Sequence, residues 1–307
     1  MAEKNLNIMS VKNLSKVFKS GVIRPKYTAA VQDVSFDIKA GTIISLIGES
    51  GSGKTTIGKL ILKLIKPSSG NIYYRENDIE EINNIDELKK YYKKVQGIFQ
   101  DPFATFNPLY RVDRIFDMIY DSFGYDKKNK EERIYQVLQD VNLVPERTLG
   151  KFPHQLSGGQ LQRLLIARAL LMDVDVLIAD ELISMLDAST RIGVLNLLVE
   201  LTKKNGMSII FITHDLNLGY YISDESLIMY KGRLVESGDT KKIYENPIHP
   251  YTKMLFNSVP EIGYRWDPEE EFMPEQVIKD VEEFYKENAG KGFAMEEENH
   301  YVLYSID

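Results

Sequence analysis

The sequence contains no cysteine among its 307 residues. It therefore cannot form disulfides, thiolate zinc sites or cysteine-held iron–sulfur clusters, and it has no cysteine nucleophile. It also lacks any apolar run close to the roughly 18 residues that a membrane-spanning helix needs. The start of the chain is polar and shows no signal-peptide apolar region. These absences predict a protein of the cytosol, unless a partner carries it to a membrane.

Composition places the chain in the globular class, with hydrophobic residues at 43% and charged residues at 27%. At about 150 residues per domain, its length predicts about two domains. The net charge of −7 is uneven, because residues 261–307 contain fourteen acidic and four basic side chains. The nearly neutral remainder gives no basic signature of nucleic-acid binding, so we expect no nucleic-acid partner.

Strand-like and helix-like segments alternate along the chain. The short apolar runs typical of buried strands are Ile43–Ile47, 174–179 and Ser208–Thr213. Apolar residues at helical spacing predict helices over about 55–66, within 112–142 and near 189–204. Such alternation predicts a parallel sheet with right-handed crossovers. Lys231 and Gly232 lie between two strand-like stretches, which predicts a hairpin.

A glycine-rich loop follows the first of these apolar runs. The segment from Gly48 to Thr55 fits the pattern G-x-x-x-x-G-K-[ST] and lies between a predicted strand and a predicted helix. Its glycines let backbone N–H groups approach phosphate oxygens, and the helix start adds positive partial charge. The Lys54 ammonium reaches β- and γ-phosphates in such loops, and the Thr55 hydroxyl ligates Mg²⁺. The predicted phosphate-contacting residues are Gly48, Glu49, Ser50, Gly51, Ser52, Gly53, Lys54, Thr55 and Thr56.

Residues 156–160 read Leu-Ser-Gly-Gly-Gln. With this pentapeptide the sequence resembles the ATP-binding cassette (ABC) ATPases, whose signature motif it is, over about residues 7–260. The resemblance implies an α/β P-loop NTPase fold of the ABC-ATPase type. Its parts are a mixed or parallel β-sheet core, an antiparallel β subdomain and an α-helical subdomain at about 101–158. We expect an ABC nucleotide-binding domain over 1–260, an acidic C-terminal extension over 261–307, and ATP and Mg²⁺ as ligands.

The remaining family motifs appear in the family's order. Asp180 ends a buried-strand run and can present a carboxylate to the magnesium shell. Glu181 stands where the family keeps its general base, which deprotonates the attacking water. Gln100 matches the Q-loop, and His214 matches the switch histidine that holds the γ-phosphate and orients Glu181. The resemblance thus implies Glu181, His214 and Lys54 as catalytic residues, and Thr55, Gln100 and Asp180 as metal contacts.

Two family features are less sharply defined. By spacing, the adenine-stacking aromatic is Phe18, with Tyr27 as the alternative because residues 19–28 form a long loop. Residues 184–187 resemble the D-loop, which crosses the family's dimer interface. The family usually has Pro, Thr and Ala at positions 182, 183 and 185, where this chain has Leu182, Ile183 and Met185. These differences leave the acidic residues of the motifs unchanged, so we expect ATPase activity to be retained.

The chain carries one set of motifs, and in this family the signature motif of one subunit faces the phosphate loop of another. The resemblance therefore implies ATP-dependent dimerisation. The residues expected to contact the partner's nucleotide are Ser157, Gly158, Gly159 and Gln160.

Residues 101–111, 232–238, 246–252 and 258–260 look like those of the oligopeptide/dipeptide importer ATPases. The implied function is ATP hydrolysis that energises import of oligopeptides, dipeptides or a related solute such as an oligosaccharide. The implied partners are two multi-spanning permease subunits, a second ABC ATPase and, indirectly, an extracytoplasmic substrate-binding protein. We favour a sister chain over a second copy as the second ATPase. The implied place is the cytoplasmic face of the cell membrane.

Two other functions compete with import. The first is an ABC protein that acts on nucleic acid or ribosomes, which the single motif set, the short segment between Gln100 and Leu156 and the near-neutral body disfavour. The second is a regulatory subunit that does not hydrolyse ATP, which the intact Glu181 and His214 disfavour. The solute, the identity of the second ATPase and the role of the acidic tail stay open.

Overall fold

The computed structural model describes residues 7–21, 24–258 and 274–306. Its strands are β1 (Asn7–Ser20), β2 (Lys26–Lys39), β3 (Ile43–Ile47), β4 (Ser69–Tyr74), β5 (Asn77–Asp78), β6 (Val95–Ile98), β7 (Val176–Asp180), β8 (Ser208–Thr213), β9 (Glu225–Tyr230), β10 (Arg233–Asp239), β11 (Phe293–Glu297) and β12 (His300–Leu303). Its α-helices are α1 (Lys54–Ile61), α2 (Ile85–Lys94), α3 (Pro102–Thr105), α4 (Arg114–Phe123), α5 (Lys130–Asp140), α6 (Pro145–Thr148), α7 (Gly158–Leu171), α8 (Ala188–Asn205), α9 (Leu216–Ile222), α10 (Thr240–Glu245), α11 (Pro250–Asn257) and α12 (Pro274–Glu287). None of the helices in these ranges has the length and apolarity to cross a membrane.

The larger sheet has the strand order β11-β12-β10-β9-β3-β8-β7-β6. The strands from β9 to β6 pair in parallel, and β10, β12 and β11 add antiparallel pairs at one end. Every residue of β3, β7 and β8 is buried, as expected for strands covered on both faces. The expected mixed or parallel sheet core is confirmed, and the sheet is mixed. Its parallel strands bring their carboxyl ends to one edge.

A smaller sheet, with the order β2-β1-β4-β5, contains antiparallel pairs and confirms the antiparallel β part of the predicted fold. In the β1–β2 hairpin, Phe18 lies opposite Thr28, and Tyr27 lies opposite Lys19. Because side chains alternate across a strand, Phe18 and Tyr27 project from opposite faces of the hairpin.

The chain between β6 and β7 is mainly helical. The predicted helical region 112–142 forms two helices, because Gly124 ends α4 in a left-handed backbone conformation with φ +64°. Phe116, Tyr120 and Leu138 are buried in one core with the apolar residues of α7. This core holds the signature segment at the start of α7 against the main sheet.

Helix α1 ends at Ile61, not at about Lys66, so the predicted end of this helix is wrong. Lys63 adopts a left-handed backbone conformation with φ +52° and stops the helix. The Leu64 N–H donates to the Lys59 carbonyl oxygen at 2.9 Å, which is the hydrogen bond of a Schellman turn. A glycine or asparagine is the usual signal for this turn, and here a lysine takes that place.

The predicted hairpin at Lys231 and Gly232 is confirmed. Both residues have positive φ, +45° and +83°, as a two-residue type I′ turn requires. The Gly232 N–H donates to the Ser52 carbonyl oxygen at 3.0 Å, and its carbonyl accepts from the Gln32 N–H at 2.8 Å. This turn therefore ties β2 to the glycine-rich loop.

The described part of the C-terminal segment packs onto the main sheet, where β12 pairs with β10 and α12 contacts α11. At this joint Glu236 and His300 are both buried, and His300 Nε2 lies 2.7 Å from Glu236 Oε1. Glu236 also accepts from the backbone N–H groups of Ile248 and His249, at 3.0 and 3.1 Å. The expected domain boundary at 260/261 lies outside the described residues and stays a prediction.

The buried histidine predicts a pH dependence of stability. The hydrogen bond to Glu236, and more weakly the Glu297 carboxylate, raise the pKa of His300 above its usual 6.5. A raised folded-state pKa stabilises the fold fully below the unfolded-state pKa, and this stabilisation is lost as pH rises through the folded-state pKa. We expect the free energy of unfolding lost in H300Q to be largest at and below about pH 6 and to shrink at higher pH.

Urea unfolding at a series of pH values measures this difference. H154Q, which changes an exposed histidine, is the matched control and should show no such trend. A stability difference between wild type and H300Q that grows with pH would contradict the prediction.

Candidate functional site

The glycine-rich loop between β3 and α1 wraps around the Lys54 side chain. The Lys54 ammonium donates to the carbonyl oxygens of Gly48 and Glu49, at 2.7 and 2.6 Å, and lies 3.2 Å from Ser52 Oγ. Lys54 and Ser52 are buried. The loop residues that stay exposed are Glu49, Ser50, Gly51 and Thr55. The loop thus surrounds one cation and leaves its outer backbone open to a ligand.

Burial and the neighbouring carboxylates have opposite effects on the pKa of Lys54. Burial lowers the pKa of Lys54, and the nearby carboxylates of Glu181, Asp180 and Glu49 oppose this shift. Burial removes the hydration of the ammonium group. A phosphate beside it restores part of the lost electrostatic stabilisation. The loop is therefore suited to an anion.

Two glycines of the loop have no room for a side chain. A Cβ at Gly48 would lie 2.2 Å from the Met229 carbonyl oxygen, and one at Gly53 would lie 2.3 Å from the Ala30 carbonyl oxygen. Both glycines also have positive φ, +155° and +107°. The neighbouring strands thus press the loop into a narrow turn that only glycine permits.

The donor set at the end of β7 fits a magnesium ion. Asp180 is buried at that end, and its Oδ1 accepts from the Thr55 hydroxyl at 3.2 Å. Burial raises the pKa of Asp180, and the Thr55 hydrogen bond opposes this. Gln100 follows β6, which is parallel to β7, so it lies at the same edge and is exposed. Across the described ranges no group of three or more acidic or histidine side chains is placed to hold a metal ion. A magnesium ion that is bound together with a phosphate needs only one or two protein carboxylates.

Glu181 and His214 meet beyond the ends of β7 and β8. Glu181 Oε1 lies 3.0 Å from His214 Nδ1. The Glu181 backbone has φ +48°, while its N–H donates to the Ile212 carbonyl oxygen at 3.0 Å. A left-handed conformation at a non-glycine residue costs on the order of 1–3 kcal/mol and is typical of functional sites. Sequence patterns carry no signal for this strain.

The signature segment forms the cap of α7. Ser157 Oγ accepts from the Gln160 N–H at 3.3 Å, and Gln160 Oε1 accepts from the Ser157 N–H at 2.9 Å. This capping box leaves Ser157 exposed at the helix start, whereas Gly159 is buried where a Cβ would lie 2.6 Å from Thr190 Cγ2. Ser157 is therefore exposed at the start of α7, whereas Gly158 is half-buried.

Both candidate adenine-stacking rings are exposed, Phe18 by 41% and Tyr27 by 64%, so neither is a core residue. The Lys16 ammonium lies 5.2 Å from the centre of the Phe18 ring. Stacking on adenine stays a prediction for Phe18, with Tyr27 as the alternative.

The D-loop segment differs from the family pattern, but its last residue, Asp187, still caps helix α8. Asp187 Oδ1 accepts from the Thr190 N–H at 3.0 Å and caps α8. Leu182 and Ile183 are buried in the core, and Met185 is 57% exposed. The two buried departures thus add apolar packing beside Glu181.

Together, the loop around Lys54, the Thr55–Asp180 contact and the Glu181–His214 pair at one sheet edge define a P-loop nucleotide hydrolase. The expected class of fold is confirmed by a solved dimeric ATP-binding cassette in a post-hydrolysis state with bound ADP and phosphate. That chain is 28% identical, with a TM-score of 0.67, and the match covers 76% of this chain and 98% of that one.

Sequence comparisons name the family. The family model "ABC transporter" matches residues 31–184, and the model "Oligopeptide/dipeptide transporter, C-terminal region" matches residues 235–295. The chain is 38% identical to the dipeptide transport ATP-binding protein DppF of Haemophilus influenzae, over 84% of this chain and 79% of that protein. It is 40% identical to the oligopeptide transport ATP-binding protein OppF of Bacillus subtilis, over 82% of each. The chain belongs to the ABC transporter family, and the expected ABC ATPase is confirmed.

The tight fit at Gly53 yields a prediction about nucleotide affinity. G53A places a Cβ against the Ala30 carbonyl oxygen at a residue with positive φ. We expect its ATP affinity to fall by at least about tenfold, because relief of this contact must move the loop.

Titration with a fluorescent ATP analogue measures the affinity. G51A is the control, because its Cβ would have no atom within 4 Å although its φ is also positive, +84°. An affinity of G53A equal to or higher than that of G51A would contradict the steric argument.

Proposed function

We propose that the chain is the ATP-hydrolysing subunit of an importer for oligopeptides or dipeptides, and that it acts as half of a dimer with composite sites. The observation that carries the hydrolytic part is the Glu181–His214 contact of 3.0 Å at the same sheet edge as buried Lys54. The C-terminal match and the names of the relatives support the importer part.

The proposed hydrolysis uses these residues as follows. The Lys54 ammonium, now shared by two loop carbonyls, binds the β- and γ-phosphates of ATP. Water attacks the γ-phosphorus, the bond to the β-phosphate oxygen breaks, and the water proton passes to the Glu181 carboxylate. His214 contacts that carboxylate through Nδ1, and Nε2 would donate to the γ-phosphate when both ring nitrogens carry a proton.

Magnesium belongs to the same proposal. The Thr55 hydroxyl, the Asp180 carboxylate and the Gln100 amide would hold the ion, which neutralises phosphate charge when bound. The loop residues from Gly48 to Thr56 surround the phosphates, and an aromatic ring at Phe18 or Tyr27 stacks on adenine.

The partner ATPase completes each site. Ser157 is exposed at the start of α7, where the positive partial charge of the helix favours an anion. The proposed contact is therefore from Ser157 and Gly159 of one subunit to the γ-phosphate bound by the other, with Gly158 and Gln160 beside the same nucleotide. The second subunit is a sister ATPase or a second copy, and the sister is favoured.

The membrane partners are proposed to contact the segment after Gln100. Its side chains are unusually apolar for a surface, with Phe103 48%, Leu109 81% and Met118 55% exposed. Two permease subunits docked here would hold the chain at the cytoplasmic face of the membrane, with the substrate-binding protein on the far side. Solute choice then belongs to those other chains, and an oligosaccharide stays an alternative to peptides.

The catalytic assignment predicts a selective loss of turnover in E181Q. The amide keeps the size of Glu181 and cannot accept the water proton, so hydrolysis by the assembled transporter should fall about 10²- to 10⁴-fold. ATP affinity should stay within about twofold, because Glu181 acts on the reacting water. Phosphate release and ATP binding measure the two effects, with E49Q as the control for loss of a nearby charge. Turnover that survives in E181Q would contradict the assignment.

The membrane-docking assignment predicts which proteins accompany the chain. Affinity isolation from gently solubilised membranes should recover two multi-spanning proteins and a second ABC ATPase. L109D should lose the multi-spanning proteins, because a carboxylate replaces an apolar contact. I85D is the matched control, since Ile85 is 70% exposed on α2. Recovery of ribosomes or nucleic acid, or of no membrane protein, would overturn the transport proposal and leave the ATPase assignment.

A further inference from the structure

A tyrosine of the C-terminal region touches the phosphate loop directly. Tyr251 lies in α11, is fully buried, and its hydroxyl oxygen accepts from the Glu49 backbone N–H at 3.0 Å. Its ring stacks on Tyr230, with ring centres 4.2 Å apart and planes at 29°. The stacking on Tyr230 and the burial of the ring thus fix the position from which the Tyr251 hydroxyl reaches the loop.

The N-terminal cap of α11, His249, also bonds to the backbone of Tyr251. His249 Nδ1 accepts from the Tyr251 N–H at 3.1 Å, and His249 Nε2 lies 3.2 Å from the Tyr285 hydroxyl on α12. Burial lowers the pKa of His249 to about 3, so this imidazole is neutral and its Nδ1 accepts. The cap therefore does not depend on pH in the neutral range.

The next contact joins this cap to the end of the chain. Glu236 holds the Ile248 and His249 N–H groups with its two carboxylate oxygens, and His300 Nε2 meets the same carboxylate at 2.7 Å. His300 is the first residue of β12, the strand that the tail adds to β10. Buried and partly buried hydrogen bonds, joined through Glu236, His249 and Tyr251, thus connect β12 to the phosphate loop.

We propose that Tyr251 is a positioning residue for the phosphate loop, and that the C-terminal strand holds it in place through His300, Glu236 and His249. The tail, whose role the sequence left open, would then set the affinity of the loop for nucleotide. This inference rests on the proposed function, because it concerns the loop that binds ATP.

The loop needs such a contact for a physical reason. Lys54 pulls the Gly48 and Glu49 carbonyl oxygens inward, while Glu49 and Ser50 remain exposed. Glycine-rich backbone loses more conformational entropy on ordering than other backbone does. A fixed acceptor on the Glu49 N–H removes part of that freedom before ATP binds, which strengthens binding without any contact to the nucleotide.

Y251F tests the hydroxyl alone, because phenylalanine keeps the stacked ring. Loss of one hydrogen bond predicts an ATP affinity about 3- to 10-fold weaker. In the assembled transporter KM for ATP should rise, while kcat changes less than about twofold because Tyr251 touches neither Glu181 nor His214. Y230F is the matched control: it removes the hydroxyl of the other ring in the stack, which bonds to no described residue.

The readouts separate the two proposals. ATP-analogue titration of the full-length chain is run for wild type, Y251F, Y230F and K54A, and the stoichiometry gives the folded fraction. Failure of the wild type to bind more tightly than K54A would overturn the proposed function. Binding by the wild type with Y251F equal to Y230F would overturn the role of Tyr251.

Two further measurements test the Tyr251–Glu49 contact and the link from His300 to the loop, which a folding defect could obscure. The Glu49 amide of the wild type should exchange its hydrogen more slowly than that of Y251F, and equal exchange would count against the contact. H300Q should weaken ATP binding in the same direction as Y251F. Unchanged affinity in H300Q would overturn the part of the proposal that assigns the tail to the loop.

Discussion

The burial of one ammonium group governs the architecture of the site. Lys54 has left water, and the loop compensates by turning two carbonyl oxygens toward it. That turn forces the backbone at Gly48 and Gly53 into conformations without space for a Cβ, against carbonyls of β9 and β2. The phosphate loop is consequently shaped by the strands around it as much as by its own residues.

The same edge of the sheet collects the acidic and imidazole groups because its strands are parallel. β8 pairs with β3, and β7 pairs with the other side of β8. Asp180, Glu181 and His214, which end or follow these strands, therefore lie at the same sheet edge as Lys54. Asp180 and Glu181 also stabilise the charge of Lys54, which burial disfavours. The site is thus held by mutual compensation of charges that would each be costly alone.

Sequence reasoning predicted the parts of this structure that depend on local pattern. β3 and β8 have the predicted bounds, and the turn at Lys231 and Gly232 lies where the hairpin was predicted. It failed where tertiary contacts decide: Lys63 ends α1 without a glycine signal, and Glu181 is strained by pairing with β8. The Tyr251–Glu49 contact joins positions far apart in the chain, which no spacing rule links. The individual roles of the site residues stay predictions.

The order of the larger sheet leaves β11 at one end, so within the described residues its outer backbone groups have no neighbouring strand. Such a strand is a template on which another chain can add, and proteins guard it with charge. β11 ends in Glu296 and Glu297, both exposed, beside the exposed apolar side chains of Phe293 and Met295. Like carboxylates repel a second copy of the same strand. By this principle, Glu296 and Glu297 disfavour pairing of β11 with a second copy at the open edge of the sheet.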